Sequence, residues 1–156
     1  MDLQTHAIIY KLNTIIGWRF LLFVFFLFGV ISVQAESYEK EKETLQAEMY
    51  KYFSTTEQKK FMEVTELLKE KSLAAGDEQT FYRAWGNQAI YLSLREQRTK
   101  AKEVVGDMRQ YANEHKSHFG EYTALHVLGS VYLRMHDYVG AENSFKKLRI
   151  SNFNRK

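Results

Sequence analysis

From about residue 38 to residue 150, apolar side chains recur every three or four positions, with charged side chains between them. Leu45, Met49 and Tyr52 form one such stripe. This spacing gives an α-helix one apolar face, whereas a half-buried strand would alternate every two positions. The pattern therefore predicts an all-α fold. The six predicted helices cover about residues 38–53, 56–74, 78–95, 98–118, 121–135 and 138–150.

The breaks between these helices are short. Gly76 and Gly120 can each end a helix in the left-handed conformation, and His136 to Tyr138 form a polar corner. Short connections force neighbouring helices to pack antiparallel. The sequence thus predicts three helical hairpins, at about residues 38–74, 78–118 and 121–150.

The N-terminal 35 residues have a different pattern. Residues 20–31 are uncharged and rich in Phe and Leu, and Arg19 directly precedes them. A basic flank, a short apolar run and small residues at Val33 and Ala35 are typical of a secretory signal peptide cleaved after Ala35. We therefore expect residues 1–35 to be a signal segment and residues 36–156 to be one exported domain.

An uncleaved signal anchor is the alternative for this segment. Residues 15–33 would supply an apolar stretch close to the roughly 20 residues that a membrane span needs, but Arg19 interrupts it. In both cases the charge bias keeps the N-terminus inside and sends the remainder out. The domain is expected either in the periplasm or anchored in the inner membrane outside the cytoplasm, with the N-terminal segment as its only membrane contact.

Composition narrows the functional classes. The 22 basic and 19 acidic residues are interleaved, so no basic face favours nucleic acid. The absence of cysteine excludes disulfides and thiolate metal sites, and the absence of proline suits plain, unkinked helices. Gly-rich phosphate loops and the G-x-S-x-G and H-E-x-x-H motifs are also absent from the sequence. We expect no enzymatic activity, no cofactor and no metal.

His115 and His118 form the one histidine cluster, with Glu121 close behind. On a single helix, an i, i+3 pair could share a metal ion. Solvated histidines at a helix C-terminus, where positive charge is favourable, are the preferred interpretation.

The C-terminal forty residues contain a spaced motif, in which Leu125, Leu128, Gly129 and Tyr132 are followed by an Ala-x3-Phe segment. Related residues occur forty positions earlier, where Trp85 begins the motif. The spacing resembles the tetratricopeptide repeat. The repeat-core residues that this resemblance implies are Trp85, Ala89, Leu92, Ala101, Leu125, Leu128, Gly129, Tyr132, Ala141 and Phe145.

The resemblance implies a short α-solenoid of about three stacked hairpins, with a degenerate first hairpin. The forty-residue period exceeds the usual 34 residues of this repeat. We expect the additional length in the second helices, around residues 111–119.

Proteins of this repeat family bind peptides in a groove lined by the first helix of each hairpin. By similarity we expect a non-catalytic module that binds a protein or peptide, with Arg83 and Arg134 available for a partner's carboxylates. The expected groove residues are Arg83, Asn87, Ile90, Leu94, Thr123, His126, Ser130, Leu133 and Arg134. Apolar surface around Leu133, Phe145, Ile150 and Phe153 is expected to support self-association.

The layout also resembles the N-terminal sensory region of Bacteroidetes-type membrane histidine kinases and regulators, in which a signal segment precedes tetratricopeptide-like hairpins. That resemblance implies an alternative function in signal transduction, with this chain as the truncated periplasmic sensory portion.

Overall fold

A computed structural model describes the backbone of residues 36–153 and the side chains of residues 36–150. Contacts divide the chain into Met1–Lys40 and Glu41–Lys156, and the packing described below belongs to the second unit. The described residues are almost entirely helical, which confirms the all-α prediction. The predicted signal segment, with its cleavage position at Ala35, lies outside them.

Six helices follow one another along the described chain. Helix α1 covers residues 36–53. The others are α2 (Gln58–Ala74), α3 (Glu78–Leu94), α4 (Arg98–Glu114), α5 (His118–Arg134) and α6 (Tyr138–Phe153). Among the residues that the structure describes, no helix is long and apolar enough to cross a bilayer.

The turns after α2, α3, α4 and α5 share one construction. Each has a residue with positive φ, and these residues are Gly76, Glu96, Lys116 and His136. In the first turn, the Asp77 N–H donates to the Ser72 carbonyl at 2.8 Å, and the Gly76 N–H donates to the Leu73 carbonyl at 3.1 Å. Such a Schellman pair satisfies carbonyls that the helix end leaves open. The turns recur every 20 residues because α2 to α5 each have 17 residues.

Three predictions about the middle of the chain are wrong. Helix α4 ends at Glu114 rather than at residue 118, because Lys116 takes the left-handed conformation (φ 52°) and closes the turn. Gly120 does not stop a helix. It lies in the first turn of α5, where an added Cβ atom would collide with the Tyr82 ring. The second helices are also no longer than the first, so the forty-residue period comes from two equal helices.

The helices form two layers. Each of α2 to α5 packs against the next helix, and α3 also packs against α5. Helix α1 adds Leu45 and Met49 to a buried cluster with Phe61 of α2 and Tyr91 of α3. Helices α3 and α5 come close together at Gly86, where an added Cβ atom would lie 2.8 Å from Cγ2 of Val127. Helices α1, α3 and α5 therefore form one layer, and α2, α4 and α6 the other.

The core lies between these layers. In α4 one stripe is buried, formed by Ala101, Val105, Met108 and Ala112, whereas α3 is buried on most of its surface. Of the predicted repeat-core residues, six are buried: Ala89, Leu92, Ala101, Leu125, Gly129 and Ala141. The other four, Trp85, Leu128, Tyr132 and Phe145, are half-buried.

Candidate functional site

An open groove of about 810 Å³, including open solvent, lies between α3 and α5. Five of the nine predicted groove residues line it together: Arg83, Asn87 and Ile90 from α3, and Thr123 and His126 from α5. The α3 residues lie four and three positions apart, so they occupy one helix face. The close approach of α3 and α5 brings the two sets of side chains to the same groove.

Sequence reasoning missed five residues that also line the groove. These are Tyr50, Gly86, Phe119, Tyr122 and Val127. Tyr50 and Ile90 are forty residues apart, so the repeat period could have identified Tyr50. Gly86 carries no comparable signal, because its role is to let another helix approach.

The other four predicted residues do not line this groove but lie further along the same helices. Leu94 and Leu133, at the ends of α3 and α5, are 46% and 45% exposed. The Ser130 hydroxyl donates to the His126 carbonyl at 3.0 Å, and Arg134 is exposed in the last turn of α5. The groove is thus followed by two exposed leucines and a second arginine.

Charge and aromatic surface define the chemistry of the groove. Arg83 is the one Arg or Lys, and His126 the one histidine, among the described residues that line the groove. The His126 ring stacks near Tyr122, with centroids 6.4 Å apart, and meets the edge of Phe145 at 6.1 Å. The Asn87 amide lies 3.5 Å from the Met49 sulfur. These groups can donate hydrogen bonds to a ligand and stack on it.

The histidine cluster considered as a metal site is divided between two helices. His115 follows the end of α4 and stacks on Tyr111 at 3.9 Å, whereas His118 begins α5. The expectation that His118 continues the α4 helix is therefore wrong. No group of three His, Cys, Asp or Glu residues in the described part of the chain is placed to hold a metal ion.

The Tyr82 phenol has a perturbed pKa. Burial raises the pKa above that of an exposed tyrosine, and the neighbouring Ser117 side chain opposes the rise. The Ser117 hydroxyl also donates to the Glu78 carboxylate and caps α5 by accepting from the Gly120 N–H at 2.8 Å. These contacts connect the start of α3 to the start of α5.

Comparisons with protein-family models, curated proteins and solved structures each found no match for this chain.

Proposed function

We propose that residues 36–153 form a short tetratricopeptide-like array that binds a peptide or protein segment in the groove between α3 and α5. The four similar turns at 20-residue intervals support the repeat, since each interval contains one equivalent helix. The direct packing of α3 on α5 also supports it, because stacked hairpins bring their first helices together.

The observation that carries the binding proposal is the joint position of Arg83, Asn87, Ile90, Thr123 and His126 in one open groove. Arg83 and Asn87 can hydrogen-bond a peptide backbone or an acidic side chain. Leu94 and Leu133 offer apolar contact further along the same helices. A groove with a few polar groups and exposed leucines fits an extended or helical segment of another protein.

Affinity capture with matched variants tests this proposal. Arg83→Glu reverses one groove charge, and Lys100→Glu makes the same change at an exposed position of α4. We expect a protein captured by the wild type to be retained by Lys100→Glu and lost with Arg83→Glu, while melting temperatures agree. Equal capture by all three proteins would reject the groove as the binding site.

We also propose that this module acts outside the cytoplasm, on the support of residues 1–35. N-terminal sequencing of a periplasmic extract tests this placement. Cleavage after Ala35 would leave Glu36 as the first residue. An intact membrane-bound chain would favour the signal anchor instead.

A further inference from the structure

A second surface lies along α2 and, beyond Leu73, extends between α2 and α4. Both helices pack against α3, which forms the floor between them. Two adjoining openings have volumes of about 450 and 1100 Å³, including open solvent, and Leu73 and Phe81 line both of them. We call this continuous surface the outer trough. The residues that line it include Met62 and Leu73 of α2, Phe81 of α3 and Tyr111 of α4.

The floor of the outer trough is aromatic. Phe81 is 5% exposed, and its ring packs 5.5 Å from Trp85 and 5.4 Å from Tyr111. Leu73 stands beside this floor with 53% of its surface exposed. Apolar surface that is rimmed by polar residues is typical of an interaction site. The narrower opening, between Leu73, Tyr82 and Tyr111, is large enough to receive an apolar side chain.

The rim of the outer trough is acidic. Glu63, Glu66 and Glu70 line the wider opening, and Lys69 is the one Lys or Arg among its described lining residues. The Lys69 ammonium is already engaged. It donates to Glu66 at 3.0 Å and lies 4.3 Å from the centre of the Trp85 ring, with only 13% of the side chain exposed.

Glu63 lies 3.8 Å from the exposed Lys59 ammonium, and Glu70 has no ion pair among the described residues, so the rim keeps a net negative charge. Carboxylates beside an apolar floor attract a cationic ligand and fix its orientation. Lys69 itself already covers the ring face of Trp85, which packs behind Phe81.

We propose that the outer trough docks a basic segment of a partner protein. An apolar side chain of that segment enters the opening beside Phe81 and Tyr111. Adjacent lysine or arginine side chains pair with Glu63 and Glu70. This surface lies on the α2 and α4 side and shares no lining residue with the groove between α3 and α5. The two surfaces can therefore hold different partners.

A pair of labelled synthetic peptides tests the proposal on the full chain. One has the sequence Lys-Lys-Phe-Leu-Lys-Lys-Leu with blocked ends, and the other replaces every lysine with glutamate. We expect the basic peptide to bind saturably and the acidic peptide to bind at least about tenfold more weakly. Raising the salt concentration to about 0.5 M should weaken the binding of the basic peptide, because salt screens its exposed ion pairs with the protein.

Charge reversal locates the site. The double variant Glu63→Lys, Glu70→Lys should bind the basic peptide with an affinity that is lower by at least about tenfold. Glu103→Lys is the control, because residue 103 occupies the position on α4 that is forty residues from Glu63 and outside the trough lining. Leu73→Ala tests the apolar contact and should also weaken binding. Gly106→Ala, at an exposed position of α4 outside the trough lining, should leave binding unchanged.

Equal binding of both peptides would overturn the proposal. It would also be overturned if the double variant bound the basic peptide as well as the wild type did. A loss of affinity in Glu103→Lys as large as in the double variant would show that net charge alone attracts the peptide. That result would likewise reject a specific site.

Discussion

A Cβ atom added to Gly129 would lie 2.6 Å from Cε1 of the Phe145 ring, so α5 and α6 meet with no room for a side chain at this position. The glycine thereby allows the half-buried Phe145 ring to lie directly against the α5 backbone. His126, one turn earlier on α5, contacts the same ring from the groove side. The contact between the final two helices and the wall of the candidate groove thus depend on one aromatic side chain.

Gly129→Leu should destabilise the fold by about 1–3 kcal/mol, because the larger side chain must displace Phe145 or separate the helices. Gly106→Leu is the matched control. Gly106 is exposed on α4, and no atom lies within 4 Å of a Cβ atom added there. Leucine at this position should therefore raise the stability of the fold by up to about 1 kcal/mol, because it has a higher helix propensity than glycine. Urea unfolding of the two variants measures whether the free energy of unfolding falls in Gly129→Leu and rises in Gly106→Leu. Equal effects would contradict the close packing at Gly129.

The sequence predicted the helices well where local signals agree with the fold. Gly76 has the expected positive φ, and Asp77 accepts from the Thr80 N–H at 3.0 Å as the cap of α3. The predicted start of α3 at residue 78 is confirmed for the same reason. Glycine and aspartate have strong positional preferences at helix ends, so their meaning can be read without tertiary information.

The sequence failed where tertiary contacts decide. Lys116 has no intrinsic preference for the left-handed conformation, so the end of α4 carried no signal, and Gly120 looked like the stop. The small size of Gly120 instead makes room for the ring of Tyr82, which lies on α3, nearly forty residues earlier in the chain. Half of the residues that line the groove were among those that the repeat resemblance implied. The outer trough was not found, because it depends on how α2 and α4 are placed over α3.

Lys116→Gly should stabilise the protein by about 0.5–1 kcal/mol. A non-glycine residue in the left-handed region carries a steric cost of about 1–2 kcal/mol, part of which glycine's greater freedom in the unfolded chain offsets. Glu103→Gly, in the exposed interior of α4, should instead destabilise by about 1 kcal/mol. Thermal melts of both variants give the comparison. A loss of stability in Lys116→Gly would mean that the lysine side chain itself supports the turn.

Asp137 caps the first turn of α6 by accepting from the Gly140 N–H at 2.8 Å. Asp137→Ala should therefore cost about 1 kcal/mol, because one helical donor loses its partner. Asp137→Asn keeps a side-chain oxygen at the same place and should cost much less. Chemical denaturation separates the two. If both substitutions were equally harmful, the negative charge rather than the cap would be the stabilising feature.

Alkaline pH should reveal the buried phenol of Tyr82. Its folded-state pKa is raised, first by burial, so the folded chain holds this proton more tightly than the unfolded chain does. The resulting stabilisation is complete below the unfolded pKa of about 10 and is lost as pH rises above it. We expect wild type to lose stability relative to Tyr82→Phe between about pH 9 and pH 11, measured by denaturant unfolding. Parallel pH curves for the two proteins would contradict the raised pKa.

Self-association is expected through the surface of α5 and α6. Leu133 and Ile150 are 45% and 58% exposed, whereas Ser93, which occupies the position on α3 forty residues before Leu133, is buried. A leucine at an exposed position where its counterpart is covered favours contact with another protein surface. Sedimentation velocity across a concentration series should show the wild type forming larger species.

The variant Ile150→Glu should shift this equilibrium to the monomer, because a charge in an apolar contact must be desolvated without a partner. Leu67→Glu provides the control, since Leu67 is also partly exposed but lies on α2. If Leu67→Glu dissociated the larger species and Ile150→Glu did not, the contact would lie on the α2 side. A wild type that stays monomeric throughout the series would reject self-association altogether.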